Sequence, residues 1–271
     1  MDYRGIRLRY RLETKHLDVD LREAFVELDA DASTRSWIDQ ALDAPQSRRT
    51  TTLREVAKQF VGFYDANAIA NAFSMRVLST EQYATLLPRA AGVSRSVLDI
   101  GAGDGEVTAE LSPLFSTVVT TELAPSMARR LRKGGYTCHS IDIALERFPP
   151  EAMPDREGFD LVALQNVIDR TSFPLRLLRR AAELRRSEGR LFVTVPLPIR
   201  QVVFAGPVVA EASEQLPTGA RRWEHAASDL YRLAFAHLGF EVERFSRAPY
   251  LCRGDDRAPV EALDGAVFVL R

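Results

Sequence analysis

The stretch from Val97 to Glu106, Val-Leu-Asp-Ile-Gly-Ala-Gly-Asp-Gly-Glu, constrains this chain more than any other. An apolar run of strand character meets three glycines and then a helical pattern. Gly101 and Gly103 permit a tight turn and let backbone approach a ligand closely. The helix opening after Gly105 presents unpaired amide hydrogens. A dinucleotide turn reads GxGxxG and seats a pyrophosphate on those amides. Here the spacing is GxGxG, with Asp99 before the glycines and Asp104 between them. Two carboxylates beside the turn repel a pyrophosphate. They suit a ligand with a cationic amino group and a sulfonium, the charges of S-adenosylmethionine (SAM). A bare strand-to-helix turn without a ligand is the alternative.

Two further acids stand at predicted strand ends. Val118 to Thr121 runs into Glu122, seventeen residues after Gly105. An acid at the end of the second strand accepts hydrogen bonds from ribose hydroxyls, or it caps the helix after Ala124-Pro125. Asp142 follows Ser140-Ile141 and is placed either for an adenine amino group or as a cap.

The rest of the chain reads in two parts. Residues 1–90 carry helical patterning: Leu21 to Ala32, and Thr52 to Phe73, with Pro45-Gln46-Ser47 as a break. Ser79 caps a further helix with Gln82 three residues on, and Tyr83, Leu86 and Leu87 form its apolar face. Residues 91–271 alternate strands and helices. The strands are predicted at Val97–Ile100, Thr117–Thr121, Tyr136–Ile141, Phe159–Gln165, Arg190–Val195, Phe240–Phe245 and Ala266–Leu270. Helices are predicted at Glu106–Leu114, Ala124–Lys133, Pro174–Arg186 and Trp223–His237. This alternation implies an α/β, seven-stranded Rossmann-like sheet, with the last strand inserted antiparallel, as in SAM-dependent methyltransferases. Residues 1–90 form a helical extension packed on that core.

Composition excludes several classes. Thirty-six Lys and Arg against 37 Asp and Glu give a net charge of −1, so no overall basic character supports a nucleic-acid partner. There is no apolar run long enough to span a membrane. The N-terminal residues lack the apolar core of a secretory signal, which leaves an intracellular, cytoplasmic expectation. Two cysteines and four scattered histidines give neither a disulfide framework nor a metal set. The chain is expected to be a monomer.

The fourth strand runs into Asn166-Val167-Ile168-Asp169-Arg170, where chemistry gathers in open α/β sheets. It is not the Asn/Asp-Pro-Pro-aromatic arrangement of many nucleic-acid amino methyltransferases. A turn shaped by Asn166, with Asp169 paired to Arg170, is the bland reading. With GAGDGEVT at 101–108, TELAPSM at 121–127, RAPYLCRGD at 247–255 and LDGAVFVL at 263–270, the chain resembles the methyltransferase-like protein 9, or DREV, family. The likeness runs from about Ser79 to the C-terminus, and more weakly through the preceding helices. It implies a protein-histidine methyltransferase acting on the π nitrogen, Nδ1, in His-x-His sequences of substrate proteins, with S-adenosylhomocysteine (SAH) as product. It also implies Asp99, Gly101, Gly103 and Glu122 as cofactor residues, joined by Asp142 from the strand-end argument. Asn166, Asp169 and Tyr250 are implied as catalytic residues that contact the substrate histidine, with Glu122 and Arg170 at the same pocket. The segment between Pro196 and Trp223 departs from the family pattern.

Neutral imidazole needs no strong base to be alkylated. Its tautomer must be chosen. A carboxylate accepting Nε2–H leaves the Nδ1 lone pair free, and Asp169 is assigned that task. Two other readings stay open: a methyltransferase for a small molecule, and a catalytically silent binding module. The intact glycines and Glu122 count against the second.

Overall fold

In the computed structural model, residues 2–72, 74–87, 95–206, 208–217 and 219–271 are described. Strands β1 (Asp2–Tyr3) and β2 (Ile6–Arg7) form an N-terminal hairpin. Helices α1 (Val19–Glu23), α2 (Ala32–Asp43), α3 (Arg48–Ala57) and α4 (Phe63–Ala70) follow, then β3 (Met75–Arg76) and α5 (Thr80–Leu86). The alternating part comprises β4 (Ser96–Ile100), α6 (Glu106–Leu111), β5 (Thr117–Thr121), α7 (Pro125–Lys133), β6 (Thr137–His139), β7 (Phe159–Gln165), α8 (Pro174–Leu184) and β8 (Arg185–Pro196). A small hairpin, β9 (Val203–Ala205) with β10 (Val208–Ala210), precedes α9 (Trp223–Leu230), β11 (Val242–Arg253) and β12 (Val260–Leu270).

The main sheet has the order β3-β11-β12-β8-β7-β4-β5-β6. Strands β4 to β8 are parallel, and β12 lies antiparallel between β8 and β11. This is the Rossmann-like methyltransferase topology expected from the sequence, with one strand more than the seven predicted. The extra strand, β3, is a two-residue edge pairing to Leu251 and Cys252 of β11.

Apolar strand runs are explained by burial on both faces. In β7, Val162 and Leu164 pack with α8 and α9. Leu161 and Ala163 point the other way, toward Leu28, Ile38 and Tyr83 of the N-terminal part. The predicted capping box at α5 is present. Gln82 N donates to Ser79 Oγ at 3.1 Å, and Ser79 N donates to Gln82 Oε1 at 2.9 Å. Tyr83, Leu86 and Leu87 are buried. The 90/91 division expected from patterning falls outside the described residues.

Several expectations are corrected. The helix predicted over Leu21–Ala32 ends at Glu23, because Phe25 and Val26 bond to β11 instead: Val26 N donates to Phe245 O at 2.8 Å. Thr52–Phe73 divides into α3 and α4, with Gly62 at the N-cap of α4; Phe73 lies outside the described residues. Helix α8 stops at Leu184 and β8 begins at once, with Arg186 drawn to Asp155 and Asp160. The third parallel strand is shorter than predicted, at Thr137–His139. Strands β11 and β12 are far longer than predicted. Gly265 allows this, since a Cβ there would lie 2.6 Å from Ala248 O across the pair.

Candidate active site

A cleft of about 1200 Å³ opens at the carboxyl ends of β4, β5, β6 and β7. Strand β4 is the switch point, with β5 on one side and β7 on the other, where α/β sheets bind ligands.

The cofactor side is held from below. Asp99 is buried, accepting from Thr108 Oγ1 at 2.6 Å and from Gln165 Nε2 at 3.3 Å. Gln165 Oε1 in turn accepts from the Tyr83 hydroxyl. Burial raises the Asp99 carboxyl to about 6, against the pull of the Thr108 and Gln165 hydrogen bonds. Gly101 has φ +70°, and a Cβ there would meet Val167 Cγ2 at 2.8 Å. Gly103, also with positive φ, donates its N–H to Glu122 Oε2 at 2.9 Å. Glu122 Oε1 accepts from Ala124 N at 2.8 Å. Glu122 therefore ties the glycine turn to the next helix, and each oxygen keeps a second lone pair for a hydroxyl donor. Burial raises its carboxyl above the usual range, opposed by those amide hydrogens. Asp142 lines the cleft and caps its own turn, accepting from Ala144 N at 2.9 Å. Leu123 and Leu145, both more than half exposed, also line the cleft and offer apolar surface to a flat base. The glycine turn, the Glu122 and Asp142 carboxylates and the apolar Leu123 and Leu145 together fit the charges and the flat base of SAM.

The acceptor side gathers residues from distant parts of the chain. Asn166 has φ +55°, a left-handed conformation uncommon outside glycine. It is locked by β8: its N–H donates to Thr194 O at 2.9 Å, and its Oδ1 accepts from Thr194 Oγ1 at 3.2 Å. Arg170 lines the cleft and pairs through Nε with Asp169 Oδ2 at 3.2 Å. Asp169 is 2% exposed and sits just behind that lining. Its Oδ1 is buried without a hydrogen-bond partner, and burial raises its carboxyl to about 6 against the pull of Arg170. Tyr250, buried on β11, lines the cleft with its hydroxyl on Met75 Sδ. Burial pushes the Tyr250 phenol well up and the neighbouring Cys252 thiol to about 12, so neither is an anionic nucleophile.

Sequence reasoning missed three aromatic rings here. Phe63 and Tyr64 of α4 and Phe204 of β9 line the cleft opposite this group. Their signal was hidden, because Phe63 and Tyr64 fall in a stretch of helical apolar patterning that reads as ordinary core, and Phe204 lies in a Pro- and Gly-bearing segment far from them in sequence. The Thr108–Asp99–Gln165–Tyr83 chain was missed because several of its members lie far apart in sequence.

Against known proteins, the model of the DREV methyltransferase family matches residues 9–271. The chain belongs to the DREV methyltransferase family. The match takes in the helices before Ser79, where the likeness is weaker, as well as the part from Ser79 onward. The chain is 25% identical over 131 residues to the ubiquinone biosynthesis O-methyltransferase of Xanthomonas oryzae pv. oryzae, over 47% of this chain and 54% of the relative. It thus spans about half the length of the curated relatives it matches. Among solved structures it is similar to a SAM-dependent methyltransferase from Leishmania major, at 15% identity and TM-score 0.47 over 89% of this chain and 85% of that one. It is also similar to a DhpI–SAH complex, at 15% identity and TM-score 0.46 over 81% and 96%. The matching family model is one of methyltransferases. Among the described residues no helix is long and apolar enough to cross a membrane.

Proposed function

We propose that this family member methylates Nδ1 of histidine in His-x-His sequences of substrate proteins. The observation that carries the reading is the Asp169 carboxyl: buried, raised to about 6, and with Oδ1 unpartnered beside the cleft. A charge held that way costs stability, and an unpaired buried acceptor is rare unless it serves a ligand.

Bound SAM supplies a methyl group activated by its sulfonium. The chain's own residues have to present one nitrogen lone pair to that group and keep the acceptor still. Asp169 Oδ1 accepts Nε2–H of the target imidazole, which fixes the tautomer with a free lone pair on Nδ1. As the new N–C bond forms the methyl–sulfur bond would break, leaving SAH, and the ring would become cationic; the Asp169 carboxylate stabilises that charge and takes up the Nε2 proton. Asp169 is covered in this structure, so Arg170, about one-third exposed at its side chain, has to swing off to admit the ring. Asn166 offers its amide nitrogen at the strand end. The neutral Tyr250 hydroxyl closes the wall.

Peptides His-Ala-His, Ala-Ala-His and His-Ala-Ala with labelled SAM test the reading. Label on the first, and much less on the other two, is expected. Label on none of them would overturn it and favour a small-molecule acceptor, the class to which the Xanthomonas relative's name points.

A further inference from the structure

The chemistry above leaves one wall of the cleft without a task. That wall is aromatic. The Phe63 and Phe204 rings stack, with centroids 4.2 Å apart and planes 7° from parallel. Tyr64 meets Phe204 edge-on at 5.8 Å and Phe63 at 5.4 Å. All three rings line the cleft and are only half-buried. The large aromatics that serve packing here, such as Tyr83, Phe192 and Phe268, are fully buried. Rings left half open on a cleft wall are placed for contact with a ligand.

The two elements carrying them differ in how they are held. Helix α4 is fixed to α7: Asp65 Oδ1 accepts from Ser126 N at 2.8 Å, and Arg130 donates to Asn71 Oδ1 at 2.9 Å. Tyr64 packs on Ala68, Ala124 and Met127, beside the Glu122 loop. The β9–β10 hairpin pairs, among the described strands, only with itself. It meets α4 through the ring stack and through Phe63 N donating to Gly206 O at 3.4 Å. The rings therefore join α4 to the hairpin on the cleft wall.

We propose that Phe63, Tyr64 and Phe204 form an aromatic jaw that positions the acceptor side chain. The inference rests on the histidine reading and adds residues to it. An imidazole gains positive charge as it is methylated, and π faces stabilise a cation near them. A flat ring also packs against the open side of such a ring cluster, which limits its rotation. Tyr64 lines the same cleft as Arg170 and Glu122, and its phenol is raised to about 12, chiefly by burial, so it meets the acceptor as a neutral ring. Outside the jaw, Phe60 is 80% exposed, and Val208 and Val209 are 59% and 66% exposed. In sequence they lie two or three residues from Gly62 and Gly206, whose backbones approach each other.

Steady-state methylation of the His-Ala-His peptide, with SAH affinity by calorimetry, tests this on Tyr64→Leu, Phe204→Ala and the ring-keeping Tyr64→Phe and Phe204→Tyr. Tyr64→Leu and Phe204→Ala should raise the peptide KM about tenfold each, with SAH affinity within twofold of wild type. Tyr64→Phe and Phe204→Tyr should restore KM to within about threefold. A role confined to folding would lower the melting temperature and SAH affinity together without this split. An unchanged peptide KM in an active wild-type background overturns the jaw alone, as does a fall in SAH affinity with no change in KM. A wild-type enzyme inactive on the peptide overturns the histidine reading first, and the jaw as its acceptor site with it.

Discussion

In the cofactor half of the cleft, each functional group sits within a few residues of a strand end. Gly101 and Gly103 follow β4, Glu122 follows β5, and Asp142 follows β6 by three residues. In the acceptor half, Phe63, Asn166, Phe204 and Tyr250 come from a helix, a strand end, a hairpin and a long edge-side strand. The first half is fixed by local backbone geometry, and Glu122 staples its turn to the next helix. The second depends on tertiary packing of pieces that do not neighbour one another in the chain. On the roles proposed above, cofactor binding and acceptor choice should be separable: damage to one half should leave the other working.

The largest effect is expected in the cofactor half. Gly101→Arg places a side chain where φ is +70° and Val167 lies 2.8 Å from the Cβ position. SAH binding measured by calorimetry should be lost, with circular dichroism still that of a folded protein. Unchanged affinity would mean that the turn does not hold the cofactor.

Next in size is the acceptor half. Asp169→Asn keeps the shape and offers an N–H where an acceptor is needed. It should lower peptide kcat/KM by about 10²–10³-fold, roughly 2–4 kcal/mol, and leave SAH affinity alone. Turnover within threefold of wild type would remove the role.

The pH dependence carries a sign that separates this role from a merely structural ion pair. The Asp169 carboxyl rises from 3.8 to about 6 on folding. Its contribution to stability is then full below about pH 4 and lost as pH rises through about 6. At pH 7.5 the folded protein holds a desolvated charge that Asn would not carry. Asp169→Asn should therefore melt higher than wild type at pH 7.5, with the difference shrinking toward pH 4. A variant that melts lower at pH 7.5 would mean that the pair with Arg170 outweighs the burial cost. Methylation by wild type should fall below about pH 6.5, as the acceptor imidazole and then Asp169 take up protons.

The smallest effect concerns Asp142. Asp142→Ala removes one acceptor beside the apolar pair Leu123 and Leu145 and should weaken SAH about three- to tenfold, the worth of one hydrogen bond. Asp142→Asn keeps the cap on Ala144 and sharpens the test, since only a lost contact to the cofactor would lower its affinity.

How much of this was legible follows from the same contrast. The Val97–Glu106 stretch carries strand, turn and helix in ten consecutive residues, so its conformation can be read without knowing the fold. Ser79 and Gln82 announce their capping box in the same way. Leu21 to Ala32 misleads because its apolar spacing suits a helix, yet Phe25 and Val26 find better partners on β11. The lengths of β11 and β12 were hidden because Pro249 and Gly265 read as strand breakers. In the fold, Gly265 instead lets the two backbones close. Tyr250, Asn166 and Asp169 came from family likeness rather than from residue chemistry. Nothing local marks Phe204 as the partner of Phe63, because only the folded chain brings the hairpin to α4.

The central claim is that the buried Asp169 carboxylate selects the tautomer that exposes Nδ1. Its most direct test is the position of the methyl group on the product of the wild-type enzyme. His-Ala-His methylated to completion, hydrolysed, and compared by mass spectrometry and NMR with 1-methyl- and 3-methylhistidine standards gives the answer. Methyl on Nδ1 alone is the expected result, with Asp169→Asn slow but yielding a detectable share on Nε2. Methyl on Nε2 from the wild-type enzyme would contradict the account.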